Sequence, residues 1–385
     1  MKHPLNIGYV TVDDPADRGG WSGTNHYLLA ALREQGYAVR TLGPLRPQPE
    51  LVLCKAINQL MLRTVGKRYN YRDSVVMARA YARLLGPRLE GLDLLLAPAG
   101  LATTALLRTK VPIVYINDRC LAGALGYHRI LSDLADFSRK ESLALEQQAL
   151  VNASVVVYSS QWAADAAVAS NPAIANKVKV IPFGANLDER PALPTPRQFP
   201  PAKINLLFLG VKWEDKGGPI AYAALEALKR RGYSAQLVVC GCDPPPELND
   251  PDLVREGYLD KNRPEQAARL VDHLRTADVL ILPTRFEAYG IVCCEAAAYG
   301  SPVLATRTGG IPTIVEEGRT GYLFDLDEGG EAYAARIISL LQDPNAYQAM
   351  RTNARARYES TLNWQAFVTS LMAVVQSTVP KSSAR

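Results

Sequence analysis

The chain of 385 residues has six cysteines, four histidines and no apolar run of the roughly twenty residues a membrane helix needs. Cys54, Cys120, Cys240, Cys242, Cys293 and Cys294 contain no C-x-x-C pair, so neither a zinc knuckle nor a thioredoxin-type site is readable. Cys293 and Cys294 are adjacent and cannot easily bridge each other, which makes reduced core thiols the expectation. His3, His26, His128 and His273 are scattered without ligand spacing; His26 falls in the first turn of an expected helix, where capping or surface exposure explains it. The opening "MKHPLNIGYVTVDD" lacks the apolar core of a secretion signal. A cytoplasmic protein is expected, at most peripheral to the inner face of the membrane. Charge of one sign is also in short supply. A net charge of +5 and a pI near 8.8 suit an anionic ligand or membrane surface, but are too weak for nucleic acid. A Walker loop and a G-x-G-x-x-G fingerprint are both missing, which argues against a dinucleotide oxidoreductase.

What is present is globular: 48% hydrophobic and 21% charged residues, in a chain too long for one ordinary core. Short apolar runs recur. They are "LNIGYVTV", "AVRTL", "LDLLLAP", "PIVYIND", "SVVVYSS" and "VKVIPFG", then "INLLFLG", "AQLVVCG", "VLILPT" and "SPVLAT". They do not alternate, which predicts strands buried on both faces of parallel sheets. Helices are predicted over Asn25–Gln35 and Pro219–Arg231, each stopped by a glycine, Gly36 or Gly232. Strand and helix in alternation imply a doubly wound α/β fold.

The stretch "DERPALPTPRQFPP", Asp188 to Pro201, carries five prolines and reads as an interdomain linker, or else a long surface loop. The expected division is an N-terminal Rossmann-like acceptor-side domain over 1–190, a linker over 191–203 and a nucleotide-sugar-binding domain over 204–360. A C-terminal helix over 361–385 is expected to pack back on the first domain. Ligands should sit at strand C-terminal ends, in the cleft that two such domains leave.

Three glycine-bearing turns follow strands and precede helices: Gly19, Gly20 and Gly23; Lys216 with Gly217 and Gly218; and Gly290. Helix starts carry unpaired N–H groups and partial positive charge, so three of them, one with a lysine, point to a phosphorylated ligand. Glu287 and Glu295 stand eight positions apart on either side of the Gly290 turn. A carboxylate aimed at a diphosphate would repel it, so each should accept from neutral hydroxyls: the transferred sugar at one end, the ribose at the other. The plainer alternative is a pair of surface carboxylates near a helix start. Paired carboxylates also suit a glycosidase, which would not need phosphate cradles. A non-catalytic binder of nucleotide sugars is a further alternative.

The segment "RFEAYGIVCCEAAAYGSPVLATRTGGIPTIVEEGRTGYLF" resembles the Glu-x7-Glu region of retaining glycosyltransferases of the GT-B fold, the large family 4 (group 1) type. The resemblance extends to "LGVKWEDKGG", to "IPFGANLD" at the expected domain crossover, and to the N-terminal glycine pair with its helix. It implies two Rossmann-like domains and transfer of a hexose from a UDP- or GDP-sugar to a hydroxyl of a small-molecule, glycan or lipid-linked acceptor. Neither metal nor other cofactor is implied. Glu295 would bind ribose and Glu287 the transferred sugar. Backbone amides of Ala288, Tyr289, Gly290, Ile291 and Val292 would meet sugar and phosphates, Lys216 the diphosphate, and Gly20 would let the backbone approach a phosphate.

Two departures stand out. Where the family has an arginine after its turn glycine this chain has Val211, with Lys212 able to replace the charge. Where many members have a histidine after the fourth strand, "VYINDRC" offers Asp118 instead, with His128 ten residues on. Asp-x-Asp patterns at Asp250–Asp252 and Asp325–Asp327 lie in turns away from the glycine loops and are not expected to bind metal. From Lys55 to Arg88, eight basic residues face Asp73 as the one acid. That is a solvated helix face, or a surface for an anionic or lipid-linked acceptor.

Overall fold

A computed structural model describes residues 5–127, 133–192 and 201–379. His3, His128 and most of the proline-rich stretch, residues 193–200, lie outside the described residues. The chain divides into two compact units: Met1–Ile181 with Val368–Arg385, and Pro182–Phe367. The division therefore falls after Ile181 rather than at 190, and Pro182 to Ala192 belongs with the second unit. The last helix, Trp364–Thr378, changes unit at Val368 rather than at 361.

The first unit holds six strands: β1 (Asn6–Tyr9), β2 (Ala38–Thr41), β3 (Leu94–Pro98), β4 (Ile113–Asn117), β5 (Val155–Tyr158) and β6 (Val178–Val180). They are hydrogen-bonded in the order 2-1-3-4-5-6, with every pairing parallel. The second unit holds β7 (Ile204–Leu209), β8 (Ala235–Cys240), β9 (Leu253–Gly257), β10 (Val279–Leu282), β11 (Val303–Thr306) and β12 (Gly321–Phe324). Their order is 12-11-10-7-8-9, again all parallel. Counted from β7, that is the 3-2-1-4-5-6 order of a doubly wound Rossmann sheet, with its switch point between β7 and β10.

Burial follows position in the sheet. β3, β4, β5, β10 and β11 are buried throughout, as their continuous apolar runs predict. The edge strands β2 and β6 are half-exposed, so "AVRTL" and "VKVIPFG" are not buried on both faces: an edge strand lacks a neighbour and part of its helical cover. Helices form at Thr24–Glu34 and Gly218–Arg230, each followed by a left-handed glycine (Gly36 φ 81°, Gly232 φ 80°). The second core packs Leu206, Phe208, Leu237 and Ile281 of the sheet against Leu225 and Ile337 of flanking helices.

All six cysteines are free, and all but Cys242 are buried. Burial pushes the Cys120, Cys240 and Cys294 thiols up to about 12 and Cys242 to about 11. At pH 8 the thiolate fraction of each is therefore negligible in the native state. A chromogenic thiol reagent should titrate at most Cys242 before unfolding and six thiols after it. Rapid native reaction of two or more would contradict the buried placement.

Candidate functional site

The loops that follow β7 and β10 meet where the strand order reverses. The first runs from Gly210 to Gly217 and the second from Pro283 to Gly290. They are stitched together by the Arg285 amide, which donates to the Asp215 carbonyl at 2.9 Å. The Thr284 hydroxyl, fully buried, donates to the Phe286 carbonyl at 2.6 Å. Glycine is a steric requirement here. A Cβ on Gly217 (φ 77°) would lie 1.9 Å from the Pro283 carbonyl oxygen, and one on Gly218 would lie 2.1 Å from the Trp213 ring. A Cβ on Gly210 would press on the Lys216 side chain at 2.8 Å. Left-handed Gly217 then starts the helix Gly218–Arg230, with Pro219 inside its first turn.

This packing brings together the two residues that sequence placed on one ligand. Lys216 Nζ lies 2.6 Å from Glu287 Oε2, in a pair whose side chains are mostly buried. The ammonium also donates to the Phe286 carbonyl at 3.4 Å. An ammonium has three protons, and among the described residues the third has no partner. The lysine thus balances the charge of Glu287 and retains a further N–H donor.

Gly290, at φ 101°, precedes the helix Ile291–Ala298, as the sequence predicts. The first N–H groups of that helix have no acceptor within it, while Ile291 and Val292 remain partly accessible. Glu295 lies in the second turn with 2% of its side chain exposed. Its partner is Lys261, whose Nζ stands 2.5 Å from Oε1 and also donates to the Asn186 carbonyl at 3.1 Å. The Asn186 side-chain oxygen accepts from the Trp364 indole at 2.8 Å. The Phe183 carbonyl accepts from the Tyr289 hydroxyl at 2.9 Å, so the Tyr289 side chain is structural and only its amide is available. Gly184 is pressed against Asn363 and Trp364, 2.2 Å from the Trp364 nitrogen for a hypothetical Cβ. The "IPFGANLD" segment is thereby the platform on which the Glu295 helix rests.

Lys261 and Asn186 escaped the sequence reading. Lys261 follows β9, whose "LVREG" interleaves charge with apolar residues because it is an edge strand. Recognising that strand would have placed "LDKN" at a strand C-terminal end. Lys212, by contrast, is half-exposed and pairs with Asp215 at 3.2 Å rather than with the Glu287 group. It borders an open depression of about 440 Å3 that Glu214, Asp215 and Asp243 also line. Three carboxylates against one lysine give that hollow the wrong sign for a diphosphate. The Asp-x-Asp residues Asp250 and Asp252 both pair with Lys229, at 2.8 and 2.7 Å. Among the described residues no group of three or more His, Cys, Asp and Glu could hold a metal ion.

Gly20 and Asp118 lie in the first unit. At Gly20 a Cβ would meet nothing nearer than 3.5 Å, so packing does not demand glycine there. The unusual geometry comes next: Trp21 (φ 46°) and Ser22 (φ 57°) are left-handed without being glycine, followed by Gly23 at φ 89°. Each such residue costs about 1–2 kcal/mol, and strain of this kind collects where a loop is held for function. Here the Trp21 indole N–H donates to Asp118 Oδ2 at 3.0 Å. The Asp118 loop is itself pinned by Glu146, a fully buried carboxylate that accepts from the Leu121 and Ala122 amides at 2.5 and 3.2 Å. Burial raises the pKa of that carboxyl. His26 sits in the first helical turn, edge-on to Tyr27, and makes no cap.

Residues 190–357 match the family described as Glycosyl transferases group 1. A glycogen synthase of Mycobacterium tuberculosis is 34% identical over 179 residues, 44% of this chain and 41% of that protein. A D-inositol 3-phosphate glycosyltransferase of Corynebacterium glutamicum is 27% identical over 290 residues, 70% of this chain and 68% of that protein. The alignment thus spans less than half of the first relative's length. Among solved structures, a sucrose-phosphate synthase from Thermosynechococcus elongatus superposes with a TM-score of 0.68 at 20% identity, covering 97% of this chain and 98% of that one. The Anabaena protein HepE, in complex with UDP and glucose, gives 0.62 at 16% identity, covering 97% and 100%. Similarity at that level speaks for the fold: α/β of the GT-B type, built from two Rossmann-like units. The match to the Glycosyl transferases group 1 family, over 190–357, falls within the second unit.

Proposed function

We propose that the protein transfers a hexose from a UDP- or GDP-sugar to an acceptor hydroxyl, with retention at the anomeric carbon and without a metal ion. The observation that carries this reading is the pair of lysine-held glutamates on either side of the Gly290 helix start. The diphosphate would lie against the N–H groups of Gly290, Ile291 and Val292, with the open proton of Lys216 on a phosphate oxygen. Glu287 would accept from hydroxyls of the transferred sugar and Glu295 from the ribose. Charge building on the departing diphosphate would be met by Lys216 and the helix dipole. The leaving oxygen would take the proton of the attacking hydroxyl on the same face of the sugar, which preserves configuration. That the Anabaena protein was solved with UDP and with UDP-glucose favours uridine as the first nucleotide to test.

Calorimetric titration with UDP and with GDP in the presence of EDTA should show saturable binding of one of them. Loss of binding and of turnover on chelation, restored by a divalent cation, would overturn the metal-free reading.

A further inference from the structure

The helix Gln48–Thr64 of the first unit is apolar on two faces. Leu51, Cys54, Ile57 and Met61 pack inward on the cluster that holds Tyr69, Tyr81 and Leu85. On the other side Val52, Leu53 and Leu60 are 64%, 54% and 61% exposed, Ala56 is exposed between them, and Val65 beyond the helix end is 59% exposed. At about 100° per residue, Val52, Leu53, Ala56 and Leu60 share one arc about 100° wide, opposite the packed stripe. Single exposed apolar residues are ordinary; a continuous strip of them marks a surface that something covers.

The surroundings say what kind of surface. Lys55, Arg63, Lys67 and Arg68 are all exposed, and no aspartate or glutamate occurs between Leu51 and Arg72. None of the four cations is in an ion pair with a described residue. The two acids that bracket this stretch are both engaged elsewhere: Glu50 pairs with Arg83 at 2.6 Å, and Asp73 accepts from the Asn70 side chain at 3.2 Å. A second copy docking isologously would set these cations against their own equivalents, which charge opposes. An anionic bilayer satisfies both features. Apolar side chains enter the boundary between headgroups and acyl chains, while lysine and arginine stems reach outward to lipid phosphates.

We propose that the Val52–Leu53–Ala56–Leu60 strip, with its rim of four cations, docks the protein on an anionic membrane surface. The strip belongs to the first unit and the residues of the proposed donor site to the second, so the proposal stands or falls without the transfer reaction.

Flotation of the full chain with vesicles tests it. Binding to vesicles rich in phosphatidylglycerol is expected at low salt, with little on pure phosphatidylcholine. The pair Leu53→Glu and Leu60→Glu should weaken binding by roughly tenfold or more, the scale of losing a leucine's burial. Lys55→Glu with Lys67→Glu should weaken it comparably, and added salt should mimic that second pair. All four side chains are exposed, so thermal unfolding should match the wild type and exclude misfolding as the cause. Absence of flotation, equal binding to both lipids, or variants that float like the wild type would overturn the proposal. So would a concentration-dependent dimer that the leucine variants dissolve, since a second copy would then cover the strip.

Discussion

Lys216→Ala should lower kcat/KM by about 2–4 kcal/mol of transition-state stabilisation, roughly thirty- to a thousand-fold. That is the scale of removing one preorganised electrostatic donor from a site where charge develops. The lysine already touches Glu287 at 2.6 Å and, among the described residues, keeps one proton without a partner. On the proposed reading it would meet the leaving diphosphate without reorganising. The substitution also strands Glu287, whose side chain is only 15% exposed, so part of the loss reflects a carboxylate left without its cation. A double variant separates the two effects. If pairing matters, Lys216→Ala combined with Glu287→Gln should cost less than the sum of the single changes. An unchanged kcat/KM in the K216A protein would assign the diphosphate to another group, with Lys212 the first to examine.

Glu295→Gln should weaken both the donor sugar and the free nucleotide, whereas Glu287→Gln should spare the free nucleotide and lower turnover. A hydroxyl bonded to a charged acceptor is worth about 1.5–3 kcal/mol, so each effect should be roughly ten- to a hundred-fold. The structure sharpens the expectation for Glu295. Its carboxylate is 2% exposed and stands 2.5 Å from the Lys261 ammonium, which in turn bonds the Asn186 carbonyl. Breaking a buried pair from one side typically costs about 3–5 kcal/mol of stability, so the E295Q protein should also melt earlier and the E287Q protein less so. Lys261→Met should reproduce the lower melting temperature and weaken the nucleotide through a misplaced Glu295. Equal loss of nucleotide affinity in the E287Q and E295Q proteins would refute the division of roles.

The interior of the fold was legible in the amino-acid sequence because interior strands of a parallel sheet are covered on both faces and must be apolar at every position. β3, β4, β5, β10 and β11 follow that rule. The two strands that went unread, β9 and β12, are the two edges of the second sheet. "LVREG" carries an arginine and a glutamate, and "GYLF" opens on a glycine, so neither resembles an interior run. The same distinction governed the site. Gly290, Glu287 and Lys216 flank interior strands at the switch point and stand beside glycines that announce a tight turn. Lys261 hangs from an edge strand with no such mark. Asn186 acts through its carbonyl and amide on partners 75 and 178 positions away, separations that no local pattern encodes.

The crowding around Lys216 also bears on which substitutions the protein can ever sample. At Gly217, Gly218 and Gly241 the nearest obstacles to one added methyl are a carbonyl oxygen, an indole ring and another backbone oxygen, at 1.9, 2.1 and 2.7 Å. None of these is the tip of a flexible side chain that could swing aside. Gly20 differs, since a Cβ there would meet nothing nearer than the Asp17 carboxylate at 3.5 Å. The path of the β7 and β10 loops is therefore specified by what is left out. A library built on this chain should find the lysine easier to exchange than the glycines that seat it. Variants altered in donor choice would then come from the rim of the site, while its floor stays fixed by geometry.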